Sequence, residues 1–324
     1  MIGFLIQRVL QALMVVIAMS IIVFLGVYAI GNPIDVMIDP ASDQALREAL
    51  IRRYGFDRPL FEQYFIFMNN MLHGDLGESF IYRLPVLNLI LSRLPATLEL
   101  ALTAMLIATL LGIPLGLWAG YKPESMSAKA IMGFSVLGFS VPSFWVGLLL
   151  IMVFAVELGW LPSGGRGPTT EVFGMNLSIT SLEGWSYIIL PAFNLALFKL
   201  GLLIRLTRAG TVEVMSSDYV RFARAQGLSE GKVVGLHVLK NISIPIVTVF
   251  GLELGSTLAF AVVTETVFNW PGMGKLIIDS ITVLDRPVMV AYLILVVFLF
   301  VMINLVVDLI YGQLDPRIRV KAAS

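Results

Sequence analysis

Cysteine is absent from the 324 residues, which excludes disulfides, thiolate catalysis and cysteine-ligated metal centres. Histidine is scarce. His73 and His237 stand far apart, which argues against a histidine-rich metal site, and each reads as a polar loop residue. Charge is thin: 14% of residues are charged, where soluble domains carry about 25%. The 22 basic residues balance the 22 acidic ones, so no global basic field suggests nucleic acid. A nucleotide-binding loop is missing as well. That loop needs G-x-x-x-x-G-K-[ST]. The nearest stretch, Asn269-Trp270-Pro271-Gly272-Met273-Gly274-Lys275-Leu276, lacks the first glycine and ends in leucine where a magnesium-binding hydroxyl is required. Neither histidine has the glutamate neighbour of a zinc-protease helix. Gly133-Phe134-Ser135-Val136-Leu137 fails as a nucleophile turn at its last position. These absences argue against an enzyme.

What fills the chain is apolar. Hydrophobic residues make up 58% of it and the mean hydropathy is +0.89, the composition of a polytopic membrane protein. The run Val9–Ile30 follows Arg8 and, at 1.5 Å per residue, is about 33 Å long, enough to cross the hydrocarbon. It ends in AIGNPID rather than a small-residue cleavage site, so it reads as an uncleaved anchor and not a signal peptide. Further spans are expected at about Ala96–Gly120, Ile131–Val156, Tyr187–Leu206, Ile244–Val267 and Val288–Tyr311. Pro95 suits the first turn of the second span. Pro142 should kink or interrupt the third. Gly112, Gly116 and Gly120 put small residues on one face, a pattern for close helix contact inside this protein.

Six spans put both termini on one side, and the basic residues say which. Segment 205–243 carries Arg205, Arg208, Arg221, Arg224, Lys232 and Lys240 against Glu213, Asp218 and Glu230. Loop 121–130 and the C-terminal tail are also net basic. Segment 157–186 holds Arg166 against Glu157, Glu171 and Glu183, and segment 31–94 holds six basic and eight acidic residues. The termini and the 207–243 loop are therefore expected in the cytoplasm. The division expected is a first transmembrane helix at 1–30, an extracytoplasmic helical insertion at 31–94, a five-helix core at 95–315 with the loop 207–243, and a tail at 316–324. In the insertion, Ser42 can cap a helix that Gly55 stops, and Pro59 can start a second that ends near Gly74. The insertion reads equally as a docking platform or as a packed cap. Segment 157–186, rich in turn residues, is a candidate outer contact.

Ionisable and polar groups inside spans are costly and normally face a bundle interior or water. Asn194 and Lys199 in span four, Glu253 in span five and Glu265 near its outer end are candidate path-lining residues. The competing reading of Lys199 and Glu253 is an ion pair that locks spans four and five. Asp308, near the inner end of span six, reads as structural. The charged loop itself offers a short helix capped by Ser217 or Asp218. Val220, Phe222, Ala223 and Ala225 give it small and apolar contacts, and Arg221 and Arg224 lie on one face, able to meet acidic groups of a partner. Gly227 provides a left-handed exit.

That loop, Asp218-Tyr219-Val220-Arg221-Phe222-Ala223-Arg224-Ala225-Gln226-Gly227-Leu228-Ser229, followed by His237-Val238-Leu239-Lys240-Asn241 and Ile244-Pro245, resembles the coupling loop of ATP-binding cassette importer permeases. The branch it looks most like moves dipeptides, oligopeptides and nickel chelates. Arg93-Leu94-Pro95-Ala96-Thr97-Leu98-Glu99-Leu100, Asp57-Arg58-Pro59-Leu60, Leu76-Gly77-Glu78-Ser79, Glu265–Gly274 and Leu314-Asp315-Pro316-Arg317-Ile318-Arg319 extend the resemblance over nearly the whole chain. The broad importer signature, Glu-Ala-Ala with glycine after three more residues, survives here only as Ala223 and Gly227, a departure common in the peptide branch. Lys199 and Glu253 stand where that branch more often has uncharged residues, which leaves the substrate open.

The resemblance implies an all-α, six-helix type I importer permease fold. It implies ATPase coupling through Asp218, Tyr219, Arg221, Phe222, Ala223, Arg224, Ala225, Gly227 and Leu228, and alternating access driven from outside the chain. Its expected partners are a second related permease subunit, two ATPase subunits that bind ATP and magnesium, an extracytoplasmic substrate-binding protein and membrane lipid. No nucleic acid partner and no cofactor of its own are expected. The location implied is the cytoplasmic (inner) membrane of a bacterium or archaeon. The expected cargo is short peptides. The alternatives are a nickel chelate, glutathione, an opine or an oligosaccharide, and, in a different class, an ion-coupled secondary transporter or a channel.

Overall fold

The computed structural model describes residues 2–29 and 44–314. Five of its helices are long and apolar enough to cross a membrane, and a broken pair makes a sixth such unit. Helix α1 is Ile2–Ala29. Two short helices follow, α2 at Gln44–Tyr54 and α3 at Leu60–Leu72, and then α4 at Val86–Tyr121. Helices α5, Met126–Ser140, and α6, Ser143–Leu150, form the broken pair, and α6 runs on as a π-helical turn to Glu157. A two-stranded hairpin, β1 Thr170–Val172 and β2 Met175–Leu177, leads into α7, Leu182–Met215. Then come α8, Asp218–Ala225, and the long α9, Glu230–Phe260, which has a π-helical stretch at Val233–Val238. The chain closes with α10, Val262–Val267, α11, Met273–Thr282, and α12, Arg286–Leu314.

The α4–α7 pair is the spine. Its seam is built on glycines spaced four apart, which stack on one helix face. A Cβ added at Gly112 would come 2.9 Å from Leu203 Cβ, at Gly116 2.6 Å from Thr207 Cβ, and at Gly120 2.5 Å from Thr211 Cβ. The backbones are thus closer than any side chain permits, as expected where lipid supplies no hydrophobic drive between helices. Around the seam Ala96, Leu100, Ala104 and Ala108 pack on Ile188, Ala192, Ala196, Leu200 and Ile204. The glycines therefore serve contact within this chain. Helix α1 is peripheral: 17% of its apolar window is buried inside the chain, against 56% for α7.

Several element boundaries differ from the sequence expectation for identifiable reasons. Helix α4 starts at Val86, so Pro95 lies inside it and not in its first turn, and the end of the 31–94 segment belongs to the span. Helix α7 runs from Leu182, where the Ser181 hydroxyl accepts from Gly184 N at 3.0 Å, through to Met215. The expected fifth span divides at Ala261 into α9 and α10. Pro142 does interrupt the third, since α5 and the α6 segment meet at 106°. Helix α2 stops at Gly55, whose φ is +70°, as expected. Helix α3 begins after Pro59 and packs on α1 through Phe24 and Tyr64, ring centroids 5.4 Å apart, and a Ser20–Tyr64 hydroxyl contact of 2.8 Å. Ser42, the side chain of Asp308 and the motif residues Asp315 to Arg319 lie outside the described residues.

Candidate functional site

Two places on the α7–α9 pair carry the chemistry. The first is the charged loop between them. Helix α8 is short and strongly two-faced. Val220 and Ala223 are buried against the end of α7 and the π-helical stretch of α9, while Phe222 is 64% exposed and Tyr219 44% exposed. Arg221 and Asp218 are exposed and pair with each other at 3.5 Å. Ser217 is the N-cap residue, but its hydroxyl donates back to Val214 O and accepts no N–H from the helix it precedes. Gly227 has φ +83°, and nothing lies within 4 Å of where a Cβ would stand, so its glycine is demanded by backbone conformation and not by space. Its N–H donates to Arg224 O at 2.9 Å and Leu228 N–H to Ala223 O at 3.2 Å, closing the helix end.

Arg224 is committed inside the chain. It donates to both oxygens of Glu230, at 2.9 and 3.2 Å, at the polar start of α9 outside the apolar span. This contact raises the Arg224 pKa and holds the Glu230 carboxyl below its ordinary range. The expectation that Arg221 and Arg224 present one shared face to a partner is thus revised. Arg224 braces α8 against α9, and the outward groups are Tyr219, Arg221 and Phe222. His237 lies in the π-helical stretch and not in a loop, with its ring 6.4 Å from that of Tyr219.

The second place is a cavity of about 470 Å3 where α5 breaks into α6, walled by α7 and α9. Ser143, Asn194, Lys199, Glu253 and Ser256 supply its polar lining, and Val146, Phe198 and Phe260 are among its apolar residues. Lys199 Nζ donates to Glu253 Oε2 and, at 2.9 Å, to Ser256 Oγ. The same ammonium lies 5.2 Å from the Phe198 ring centroid. The ion pair and the lining are therefore both present: the two charges join α7 to α9 and also face the cavity.

Glu265 is elsewhere. It is fully buried at the far end of the molecule from α8 and is not part of the cavity wall. Its carboxylate accepts from Thr97 Oγ1 at 2.7 Å and Lys275 N at 2.9 Å, and Thr97 Oγ1 accepts from Met273 N at 2.8 Å. Together they satisfy the first N–H groups of α11, where a carboxylate also meets the positive helix end. The glycines of the Trp270–Gly274 turn follow from this: a Cβ at Gly272 would collide with the Glu265 carboxylate, and one at Gly274 would come 2.6 Å from Val262 Cα. Trp270 closes the turn by donating Nε1–H to Ala96 O at 2.9 Å.

A third polar knot shows in the sequence only as separate residues, not as a pair. Glu99 accepts from Ser178 N and Ile179 N, both at 2.7 Å, and from Arg166 Nη2 at 2.6 Å. Arg166 also donates to Asn176 O and stands 5.7 Å from the Trp270 ring centroid. The 157–181 segment is thereby fastened to α4. The signal that could have found it was Arg166 itself, a lone cation in an acidic segment. Asp285 does the same for the residues before α4, accepting from Ser79 Oγ at 2.5 Å and Phe80 N at 3.2 Å.

Residues 112–320 match the family described as "Binding-protein-dependent transport system inner membrane component", and residues 1–101 match its N-terminal companion. The chain is 42% identical, over 89% of its length and 90% of the relative's, to the di/tripeptide transport system permease protein DppB of Pseudomonas aeruginosa. It is 38% identical to the oligopeptide transport system permease protein AppB of Bacillus subtilis, over 98% of its length and 99% of the relative's. It is also 38% identical to the glutathione transport system permease protein GsiC of Escherichia coli, over 99% of its length and all of the relative's. Among solved structures it shares its fold with a chain of the inward-facing MetNI methionine ABC transporter, at TM-score 0.54 and 16% identity, covering 70% of this chain and 96% of that one. The mostly helical architecture agrees with that likeness. The chain belongs to the family of binding-protein-dependent transport system inner membrane components, the permease subunits of ABC importers.

Proposed function

We propose that this chain forms half of the membrane path of an ATP-driven importer of short peptides, in the cytoplasmic membrane of a bacterium or archaeon. A second related permease completes the path, two separate ATPase subunits bind ATP and magnesium, and an external binding protein delivers the cargo. The basic loop 207–243 and both termini face the cytoplasm. The observation that carries this reading is α8: a helix fixed to α7 and α9 by Val220, Ala223 and the Arg224–Glu230 pair, with Phe222 and Tyr219 left exposed as apolar anchors for another protein. Movement of α8 is passed to the two helices that wall the cavity. The relatives named for dipeptide, oligopeptide and glutathione transport support peptides as the cargo.

The test is transport by the reconstituted complex in proteoliposomes, with trialanine as probe. Phe222→Ala is expected to lower ATP-driven uptake at least about tenfold, the loss of one interface anchor, while the subunit still inserts and its thermal stability is unchanged. Arg224→Glu, which sets a like charge beside Glu230, is expected to leave ATP hydrolysis running without uptake. Wild-type uptake rates in both variants would remove α8 from the coupling path. One observation favours a second reading: the Lys199–Glu253 pair has the chemistry of an ion relay. Uptake by the purified chain alone, driven by an ion gradient without any ATPase subunit, would establish that reading instead.

A further inference from the structure

The cavity wall holds three complementary groups. Asn194 is 3% exposed; its Nδ2 donates to Thr264 Oγ1 at 3.1 Å and its Oδ1 has no hydrogen-bond partner among the described residues. Turning the amide over would leave the nitrogen unmet instead, so one polar atom of a buried group lacks a partner in either orientation. Lys199, 9% exposed, brings a cation, and Glu253 brings an anion in contact with it. In a low-dielectric setting either charge alone is costly, and the pair can be parted only by something that answers both. A neutral sugar, a lone cation or a lone anion would strand one of them. A zwitterion would not: its carboxylate takes the Lys199 ammonium, its ammonium takes the Glu253 carboxylate, and an amide N–H along its backbone suits Asn194 Oδ1. The cavity volume, about 470 Å3, lies in the range that accepts small ligands.

We infer that the Asn194, Lys199 and Glu253 wall is a binding site for short peptides with both ends free, and that the Lys199–Glu253 contact is its unliganded, closed form. This rests on the reading of the cavity as part of the transport path. The site reads the two termini and one amide of the cargo rather than its side chains.

The probes are trialanine, N-acetyl-trialanine, trialanine amide and the doubly blocked peptide. Binding is measured to the assembled complex in nanodiscs with the external protein left out, and uptake of trialanine in proteoliposomes with it present. Wild type should bind trialanine at least about tenfold tighter than the doubly blocked peptide, because a site built for polar groups rejects a ligand lacking them. In the neutral double variant Lys199→Met/Glu253→Gln that preference should shrink to about threefold or less, with co-purification of all the subunits as proof of assembly. If the double variant does not assemble, the single variants decide. Glu253→Gln should lose only the penalty for acetylating the amino end, and Lys199→Met only the penalty for amidating the carboxyl end. Equal binding of free and blocked peptides by wild type, no trialanine binding by a complex that takes trialanine up, or an unaltered preference in the variants would overturn the inference alone. Failure of wild type to take up any of the four peptides would instead overturn the proposed function.

Discussion

At the scale of single residues, the strongest constraints are close approaches and buried charges. Gly116 meets both Thr207 and the carbonyl of Ile204, where an added Cβ would come 2.8 Å from the backbone oxygen. Gly116→Val should therefore push α4 and α7 apart and cost about 1–3 kcal/mol or more, read as a lower thermal midpoint of the solubilised protein. Gly133, with open space around it, should accept alanine without such a loss. Glu99 and Arg166 form a pair with Glu99 fully out of solvent. Glu99→Ala strands the guanidinium and should cost about 3–5 kcal/mol, whereas Glu99→Leu with Arg166→Met should cost less than the single change. Limited proteolysis between Gly159 and Ser178 reads the same effect as loosening of that segment. Much of this scale was hidden in the sequence. The glycine spacing announced a close contact but not its partner. Glu99 and Arg166 are 67 positions apart, and nothing local links them. Glu265 looked like a path residue because intramembrane carboxylates usually are. Its actual partners, Thr97 and the start of α11, are brought together only by the tertiary fold.

At the scale of elements, apolar run length located the spans and proline located the break between α5 and α6. The ends were less legible. A helix continues past its apolar stretch when the polar residues at its ends have partners. Helix α4 thus starts upstream at Val86, with its first N–H taken by Gly77 O at 2.9 Å, and α7 extends beyond the expected Leu206 to Met215. The expected fifth span ends early as a single helix because the chain must turn at Ala261 to bring Glu265 under the glycines of the Trp270–Gly274 turn. Helix α8 was the most readable of the short elements. Its start after Ser217 and the left-handed Gly227 show in the residue order, but the exposure of Phe222 beside buried Val220 and Ala223 does not. What did not show was that Arg224 points home to Glu230. Gly227→Pro removes the N–H that donates to Arg224 O and forces φ to about −65° where +83° is needed. That variant should lose coupling while its membrane insertion stays normal, as judged by ATP hydrolysis without uptake and by an unchanged yield in the membrane fraction.

At the scale of the whole molecule, the proposed role is that of a relay driven by separate ATPase subunits. Helix α8, the proposed coupling element, packs at one end against α7 and α9. Those two helices carry the charged wall of the cavity, and knots around Glu99, Glu265 and Asp285 hold the opposite end together. Under the proposed function, rocking of such a frame moves the cavity without bending the parts, with α8 as the point where force enters. The most direct measurement is uptake of radiolabelled trialanine by proteoliposomes holding the complete complex, with ion gradients collapsed by ionophores. Uptake should require ATP and both ATPase subunits, persist without any ion gradient and fall at least about tenfold in Phe222→Ala. Uptake that ignores ATP and vanishes with the ion gradient would contradict the proposed function.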